Sequence, residues 1–487
     1  MGFVGVDLGT TNVKAALFDR DLNQLNTIST KIDYIRTGEM VEFDAHQYYQ
    51  IVAQTIRACC AEHLKKNEPY HIVLTGQAES LVILGKDGLP IRNAISWLDE
   101  RSKQEARELS GKFDPDLYYS VTGQVSILPT WPITKILWIK RHEPAVFSGA
   151  SKYLLLKDYV QFRLTGRLAG EFSIYNFSSY FDTHEKRYWP EILDYCGVRT
   201  DQLPELIEPC TDIGELGKEA ALETGLPAGT RVNAGTLDHF AGMIGTGNIR
   251  PGIVSESTGT VLSMATLLED PEAEIPAGIP CHYGPFKDSY VLLATCESGG
   301  ISLEWYKNNF LPDSTYEEIE KVISQRDKPG SLIFLPNLTG VNAPDYEENA
   351  SGVFYGLKIR HDPYDLALAV MEGVAYMLAS NVDLLRSAGY EINQIISTGG
   401  GARSQTWSQI KSDVIGCDIA VPADEEAACL GAAIIGAVES GVYASYQQAI
   451  DEHVSIAKII KPLHTRKYQV SYALYKKLNR SMKKEMW

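Results

Sequence analysis

Residues 230–262, TRVNAGTLDHFAGMIGTGNIRPGIVSESTGTVL, decide how the rest of the chain is read. Residues 230–234 form a short strand that runs into a Gly235-Thr236 turn. Asp238 follows, in what the spacing makes the first turn of a helix. There the positive end of the helix dipole favours an ionised carboxylate, and an ionised carboxylate can take a proton from a hydroxyl. A second strand over 252–257 ends in Thr258-Gly259-Thr260, a turn whose N–H groups and hydroxyls suit a phosphate. A base and a phosphate cradle this close in sequence point to phosphoryl transfer. Taken alone, a helix cap and two tight turns account for the stretch as well, so the rest of the chain has to decide.

A chain of 487 residues is too long for one hydrophobic core, and two large domains are expected, 1–244 and 245–487, parting where glycines and Pro251 cluster. With 45 Lys and Arg against 62 Asp and Glu the net charge is −17, which argues against a general nucleic-acid binder. No apolar run approaches a membrane span, and the N-terminus has neither a signal-peptide pattern nor an acylation signal. Eight scattered cysteines without a CxxC fit reduced thiols and a cytoplasmic location.

Residues 3–8 read as a buried strand, 9–12 (GTTN) as a turn and 13–19 as an alternating partner strand. No GxxxxGK[ST] occurs and no helix follows the glycine, so this is not a Walker loop. A hairpin turn can still hold phosphates through its N–H groups and the hydroxyls of Thr10 and Thr11, with Lys14 as a point charge on the same anion. Asp7, near the end of the first strand, can hold Mg²⁺ through water, because that ion keeps much of its hydration shell. The alternative is an ordinary hairpin with Asp7 bonded to its own turn. The same strand, Gly/Thr turn and strand recur over 253–265, which suggests a duplication with one copy opening each half.

After an amphipathic helix over 47–64 and a buried strand over 71–75 come Gln77, Glu79 and Ser80, polar residues just beyond a strand end, where open α/β sheets bind ligands. The run Ser96-Trp97-Leu98-Asp99-Glu100-Arg101 adds an aromatic face for a sugar's C–H groups and, with Glu79, carboxylates for its hydroxyls. Core packing for Trp97, and a surface ion pair or a helix start for Asp99 and Arg101, are the plainer readings. In the second half, Gly299-Gly300 precedes a helix. Residues 364–388 form a long, mostly apolar helix. Gly399-Gly400-Gly401 lies between a strand and a helix that starts at Gln405, which lets a flat ligand or a phosphate approach the backbone. The basic segment 464–487 reads as a solvated terminal helix.

The order of these motifs, VDLGTTNVK, GQAES, SWLDER, PITKILWIKRH, AGTLDHFAG, STGT and TGGGARS, resembles the FGGY carbohydrate kinases, within the actin, hexokinase and chaperone ATPase superfamily. The resemblance runs from about residue 3 to about 441. It implies an α/β fold of two ribonuclease-H-like lobes with mixed sheets flanked by helices and a cleft between them. It implies a kinase that moves the γ-phosphate of ATP, with Mg²⁺, to a small sugar. It assigns Asp238 as general base and Asp7 to the metal. It sets Thr10, Thr11, Lys14, Thr258, Gly259, Gly300, Gly401 and Gln405 around the nucleotide, and Gln77, Glu79, Trp97, Asp99 and His239 around the sugar. A homodimer is a further implication, with no readable interface; nucleic acid and membrane are not expected partners.

The substrate pattern is mixed. Xylulose kinases show Met-His where this chain has Ala78-Glu79, and glycerol kinases show Arg-Glu but lack the Trp97-x-Asp99 arrangement. The loop at 340–344, GVNAP, lacks the family's charged pair. A ketopentose such as D-xylulose is the first expectation, with gluconate, glycerol or ribulose as other acceptors. An actin-like or chaperone-like ATPase, turning over ATP without an acceptor, is the rival of another class, and the sugar-side cluster speaks against it. A sugar-sensing pseudokinase conflicts with the intact Asp7, Asp238 and glycine turns.

Overall fold

A computed structural model describes residues 1–65, 68–268, 275–276, 278–296, 298–326, 329–343, 345–347, 349–424 and 426–487. Pro344, at the end of the 340–344 loop, lies outside them. The chain forms two compact units. The first comprises Met1–Gly247 with Cys281–Tyr290 and Glu426–Val454, and the second Asn248–Pro280, Val291–Glu425 and Ser455–Trp487.

The first unit is built on a mixed six-stranded sheet. Its strands are β1 (Gly2–Leu8), β2 (Asn12–Phe18), β3 (Gln24–Lys31), β4 (Tyr70–Gly76), β5 (Asp212–Glu215) and β6 (Arg231–Leu237), in the order β5-β6-β4-β1-β2-β3. β1, β4 and β6 run parallel, and β2, β3 and β5 add antiparallel neighbours. β1 is apolar on both faces, as a strand covered on both sides must be. Helix Ala45–Cys60, shifted two to four residues N-terminal to the expected span, starts where Asp44 accepts from the N–H groups of His46 and Gln47. It buries Tyr48, Tyr49, Val52 and Ile56 in the core beside β1 and β2.

The Gly235-Thr236 turn expected from the sequence is a bulge inside β6, which runs on to Leu237. Gly235 sits at φ 58°, and a Cβ there would lie 1.8 Å from the Leu74 carbonyl oxygen. The glycine therefore lets two backbones touch rather than reversing the chain.

In the second unit, β7 (Ile253–Thr258), β8 (Leu262–Leu267), β9 (Tyr290–Cys296), β10 (Gln394–Thr398), β11 (Asp418–Pro422) and β12 (Ile456–Ile460) run in the order β9-β8-β7-β10-β11-β12. β7, β10 and β11 are parallel, and the remaining three are antiparallel to their neighbours. Read from the other edge, this has the strand directions of β5-β6-β4-β1-β2-β3, but the antiparallel edge strand β12 follows β11 in the chain, whereas β5 precedes β6. The recurrence seen in the sequence as one hairpin extends over six strands. Helix Pro363–Ser387 is long and apolar enough to cross a membrane by length and composition, which the sequence reading did not anticipate. It is mostly buried and supplies Val370, Met371, Val374 and Tyr376 to this unit's core.

Candidate active site

In the first unit the parallel strands end in register, with Leu8 opposite Gly76 and Gly76 opposite Leu237. Asp7, Gln77 and Asp238 therefore lie along one sheet edge, at the carboxyl ends of neighbouring strands, where α/β sheets bind ligands. Asp238 opens helix Asp238–Thr246, as the sequence implied, and one carboxylate oxygen accepts from the His239 N–H at 2.6 Å. Asp7 Oδ1 is buried and has no hydrogen-bond partner. Burial, with the charges of Asp238 and Glu426 against that of Lys14, pushes the Asp7 carboxyl up to about 7. A bare acid oxygen held at that cost suits a cation.

The turn between β1 and β2 is held from behind. The Gly9 carbonyl accepts from Tyr48 Oη at 3.0 Å and Gln77 Nε2 at 3.2 Å. Trp97 Nε1 donates to Thr10 Oγ1 at 2.8 Å, and its N–H donates to Ser80 Oγ, which donates to Gln77 Oε1 at 2.6 Å. Gln77 and Trp97 thus brace the turn that carries Thr10. Thr11 is exposed. Lys14, expected as a point charge for an anion, forms an ion pair with Glu426.

Glu79 is half-buried and holds a left-handed backbone, φ 69°, which costs a non-glycine residue free energy and is concentrated at functional sites. Burial, with Asp238 adding and Lys135 opposing, pushes its carboxyl up to about 8. Lys135, wholly buried, donates to the Ser96 carbonyl at 2.9 Å, and burial pulls it down to about 8. Asp99 departs from the expected open acceptor. Its carboxylate is fully buried and accepts from the Arg101 guanidinium at 2.7–3.0 Å and from the Val41 N–H at 2.6 Å. Both oxygens are committed to the Arg101 ion pair, which is buried rather than at the surface. His239 is exposed.

In the second unit three glycine turns converge at the ends of β7, β9 and β10. The Gly300 N–H donates to the Gly259 carbonyl at 2.7 Å, and a Cβ on Gly300 would meet that oxygen at 2.5 Å. A Cβ on Gly401 would meet Thr258 Cβ at 2.7 Å. Gly399 adopts φ 76° beside Thr258. Gln405 is exposed at the start of helix Gln405–Ile415, which Ser404 caps through the Trp407 N–H. The Thr258 hydroxyl does not face outward. It donates to Glu256 Oε2 at 2.7 Å and accepts from Lys411 Nζ at 2.7 Å, with all three side chains buried. Glu256, Lys411, Lys135 and Glu426 were not foreseen. Apart from Thr258, two residues from Glu256, their partners lie 39 to 412 residues away, where no spacing rule connects them.

Residues 3–245 match the family model "FGGY family of carbohydrate kinases, N-terminal domain", and residues 256–440 match the C-terminal domain of the same family. A xylulose kinase of Bacillus subtilis is 28% identical over 482 residues, covering 98% of this chain and 96% of its own length. A gluconokinase of the same organism is 28% identical over 464 residues, covering 92% and 89%. The solved structure of a ligand-bound xylulose kinase from Lactobacillus acidophilus has a TM-score of 0.92 at 25% identity, covering 99% of this chain and 98% of that one.

Proposed function

Since the chain belongs to the FGGY family of carbohydrate kinases, we propose that it transfers the γ-phosphoryl group of ATP to a hydroxyl of a ketopentose, D-xylulose first among them. The observation that carries the reading is the row of Asp7, Gln77 and Asp238 on one strand-end edge, with Glu79 beside it. The charge of Asp238, with a partly ionised Asp7 beside it, disfavours an anionic acceptor such as gluconate by like-charge repulsion, while Glu79 is neutral at pH 7. A neutral ketose meets no such penalty, and xylulose kinases recur among the relatives.

In this reading Asp238 accepts the proton of the sugar hydroxyl as its oxygen bonds to the γ-phosphorus. The bond from that phosphorus to the β-phosphate oxygen breaks, and ADP leaves with the electron pair. The transition state is loose, so catalysis is mainly positioning and charge neutralisation. The Thr10-Thr11 turn and the turns at Thr258-Gly259, Gly300 and Gly401 supply backbone N–H groups for the phosphates. Gln405 lies on the nucleotide side. Gln77, Glu79, Trp97 and His239 lie on the sugar side, and Asp99 supports them through Arg101. Among the described residues no group of three or more His, Cys, Asp or Glu side chains forms a ready metal cage. Asp7 would thus hold Mg²⁺ together with water and phosphate oxygens, as that ion prefers. Bound there, the ion would draw charge from the phosphates. Buried cysteine thiols suit a cytoplasmic enzyme.

The test is a kinase assay on D-xylulose, D-ribulose, D-gluconate and glycerol, with the parent and Asp238→Ala. D-xylulose should be turned over fastest, and the variant should lose roughly 10²- to 10⁴-fold in kcat. Parental turnover by Asp238→Ala, or ATP hydrolysis without any acceptor, would overturn the reading.

A further inference from the structure

The helix that Asp238 opens has Leu237 as its N-cap, and Leu237 has no polar side chain to cap with. An uncapped first turn leaves N–H groups unsatisfied and its geometry loose. The strand feeding it is itself irregular, with a register shift between Asn233 and Thr236. The strand and the cap leave the carboxylate a single local hydrogen bond, from the His239 N–H at 2.6 Å.

A buried network from another part of the chain closes against this junction. Ser173 Oγ accepts from the Leu237 N–H at 2.9 Å and pairs with Thr236 Oγ1 at 2.8 Å. Ser173 is held in turn by Glu171, with hydroxyl to Oε1 at 2.9 Å and N–H to Oε2 at 2.6 Å. Glu171 is fixed by Lys157 Nζ at 2.5 Å. From the other side, Thr75 Oγ1 donates to the Thr236 carbonyl at 2.9 Å. Lys157, Glu171, Ser173 and Thr236 are all 0% exposed. Two charges wholly removed from water are expensive, and a serine clamp on a backbone N–H does not by itself call for them.

We infer that Ser173, locked by the Lys157–Glu171 ion pair, is a positioning residue for Asp238: it caps from outside the helix that cannot cap itself, and so sets the direction of the carboxylate. This rests on Asp238 being the base. Ser173 touches neither substrate, so its loss should act on the chemical step and leave both Michaelis constants nearly unchanged.

The experiment compares Ser173→Ala, Ser173→Thr, Thr236→Val and Asp238→Asn, using ATP and whichever of the four acceptors the parent turns over fastest. Thermal midpoints identify the folded variants. The expected result is a kcat for Ser173→Ala lower by roughly 10- to 100-fold, the cost of a small misplacement of a reacting group. KM for sugar and for ATP should stay near parental, and Ser173→Thr, which keeps the hydroxyl, should recover most of kcat. A folded Ser173→Ala with parental kcat, or one impaired only in KM, overturns the inference. If Ser173→Ala does not fold, Thr236→Val decides by the same split. Parental activity in Asp238→Asn would instead sink the assignment of the base, and is read separately.

Discussion

Removing the Lys411 ammonium should loosen the second unit more than any other single change outside its apolar core. Lys411 Nζ donates to Glu256 Oε1 at 2.6 Å and to Thr258 Oγ1 at 2.7 Å, and both Lys411 and Glu256 are closed to solvent. In Lys411→Met the aliphatic stem keeps its packing while Glu256 retains a buried charge, hydrogen-bonded only by the hydroxyls of Thr258 and Ser397. Breaking a buried pair at one partner costs about 3–5 kcal/mol. That corresponds to opening of β7 and helix Gln405–Ile415 roughly two to nearly four orders of magnitude more often, at about 1.4 kcal/mol per factor of ten. Amide hydrogen exchange read by mass spectrometry on peptides covering 253–258 and 405–415 measures this locally, without assuming that the whole chain unfolds in one step. The double variant Glu256→Gln/Lys411→Met removes both charges and should regain more than half of the lost protection, since the penalty lies in the unpaired charge. The Thr258 turn loses its anchor in the single variant, so KM for ATP should rise with it. Exchange within a few-fold of parental in Lys411→Met, or no recovery in the double variant, would refute this account.

Gly431 faces the helix that carries Asp238, where an added Cβ would lie 1.8 Å from the Ala241 carbonyl oxygen. Gly431→Ala should therefore cost about 1–3 kcal/mol in stability and lower kcat together, checked by urea unfolding and turnover. His282 is fully buried against Phe177 with neither ring nitrogen partnered, and burial pulls its pKa from 6.5 to about 3. A depressed pKa means that stability is complete above 6.5 and falls as the pH drops towards 3. The parent should lose about 1.4 kcal/mol per pH unit relative to His282→Phe, a difference that denaturation at pH 6.5, 5.5 and 4.5 reads directly. Glu79, pushed up to about 8, is protonated at neutral pH and gains a charge beside Asp238 above that value. Parental kcat/KM for sugar should fall on the alkaline side, and Glu79→Gln should move that limb to higher pH; an unmoved limb means that Glu79 does not face the sugar.

What could be read from the sequence divides along a physical line. The hairpin 3–19, the Thr258 turn and the placement of Asp238 at a helix start are written in local periodicity and glycine, and the structure carries them as β1, β2, β7 and helix Asp238–Thr246. Gly235 misled, because a glycine in a turn and a glycine under a neighbouring carbonyl look alike until Leu74 is on the page. Asp99 admits both a sugar acceptor and an ion pair with Arg101 in the sequence, and only the closing of Val41 and Arg101 around it decides for the pair and buries it. The six-strand repeat was invisible beyond its first hairpin, because strand direction is a property of pairing: the two halves keep it while few of their side chains agree and while their outer two strands swap chain order.

The charged pairs mark where that line has functional weight. Among the described residues each unit buries one Lys–Glu pair at 0% exposure, Lys157–Glu171 in the first and Lys411–Glu256 in the second. Neither pair stabilises its sheet as well as two apolar side chains would, since desolvating two ions offsets most of their attraction. Both, however, end on a hydroxyl: Ser173 against the Leu237 N–H, and Thr258 inside the glycine turn. An apolar substitute could fill the same volume and still leave those hydroxyls free to choose another rotamer. An ion pair with both carboxylate oxygens hydrogen-bonded allows one orientation. If that is why the charges are kept, an apolar replacement of either pair should fold at least as well as the parent and catalyse worse. Lys157→Met/Glu171→Leu, assayed for thermal midpoint and kcat side by side, separates the two quantities. A variant that is both stable and fully active would show the pair to be packing alone.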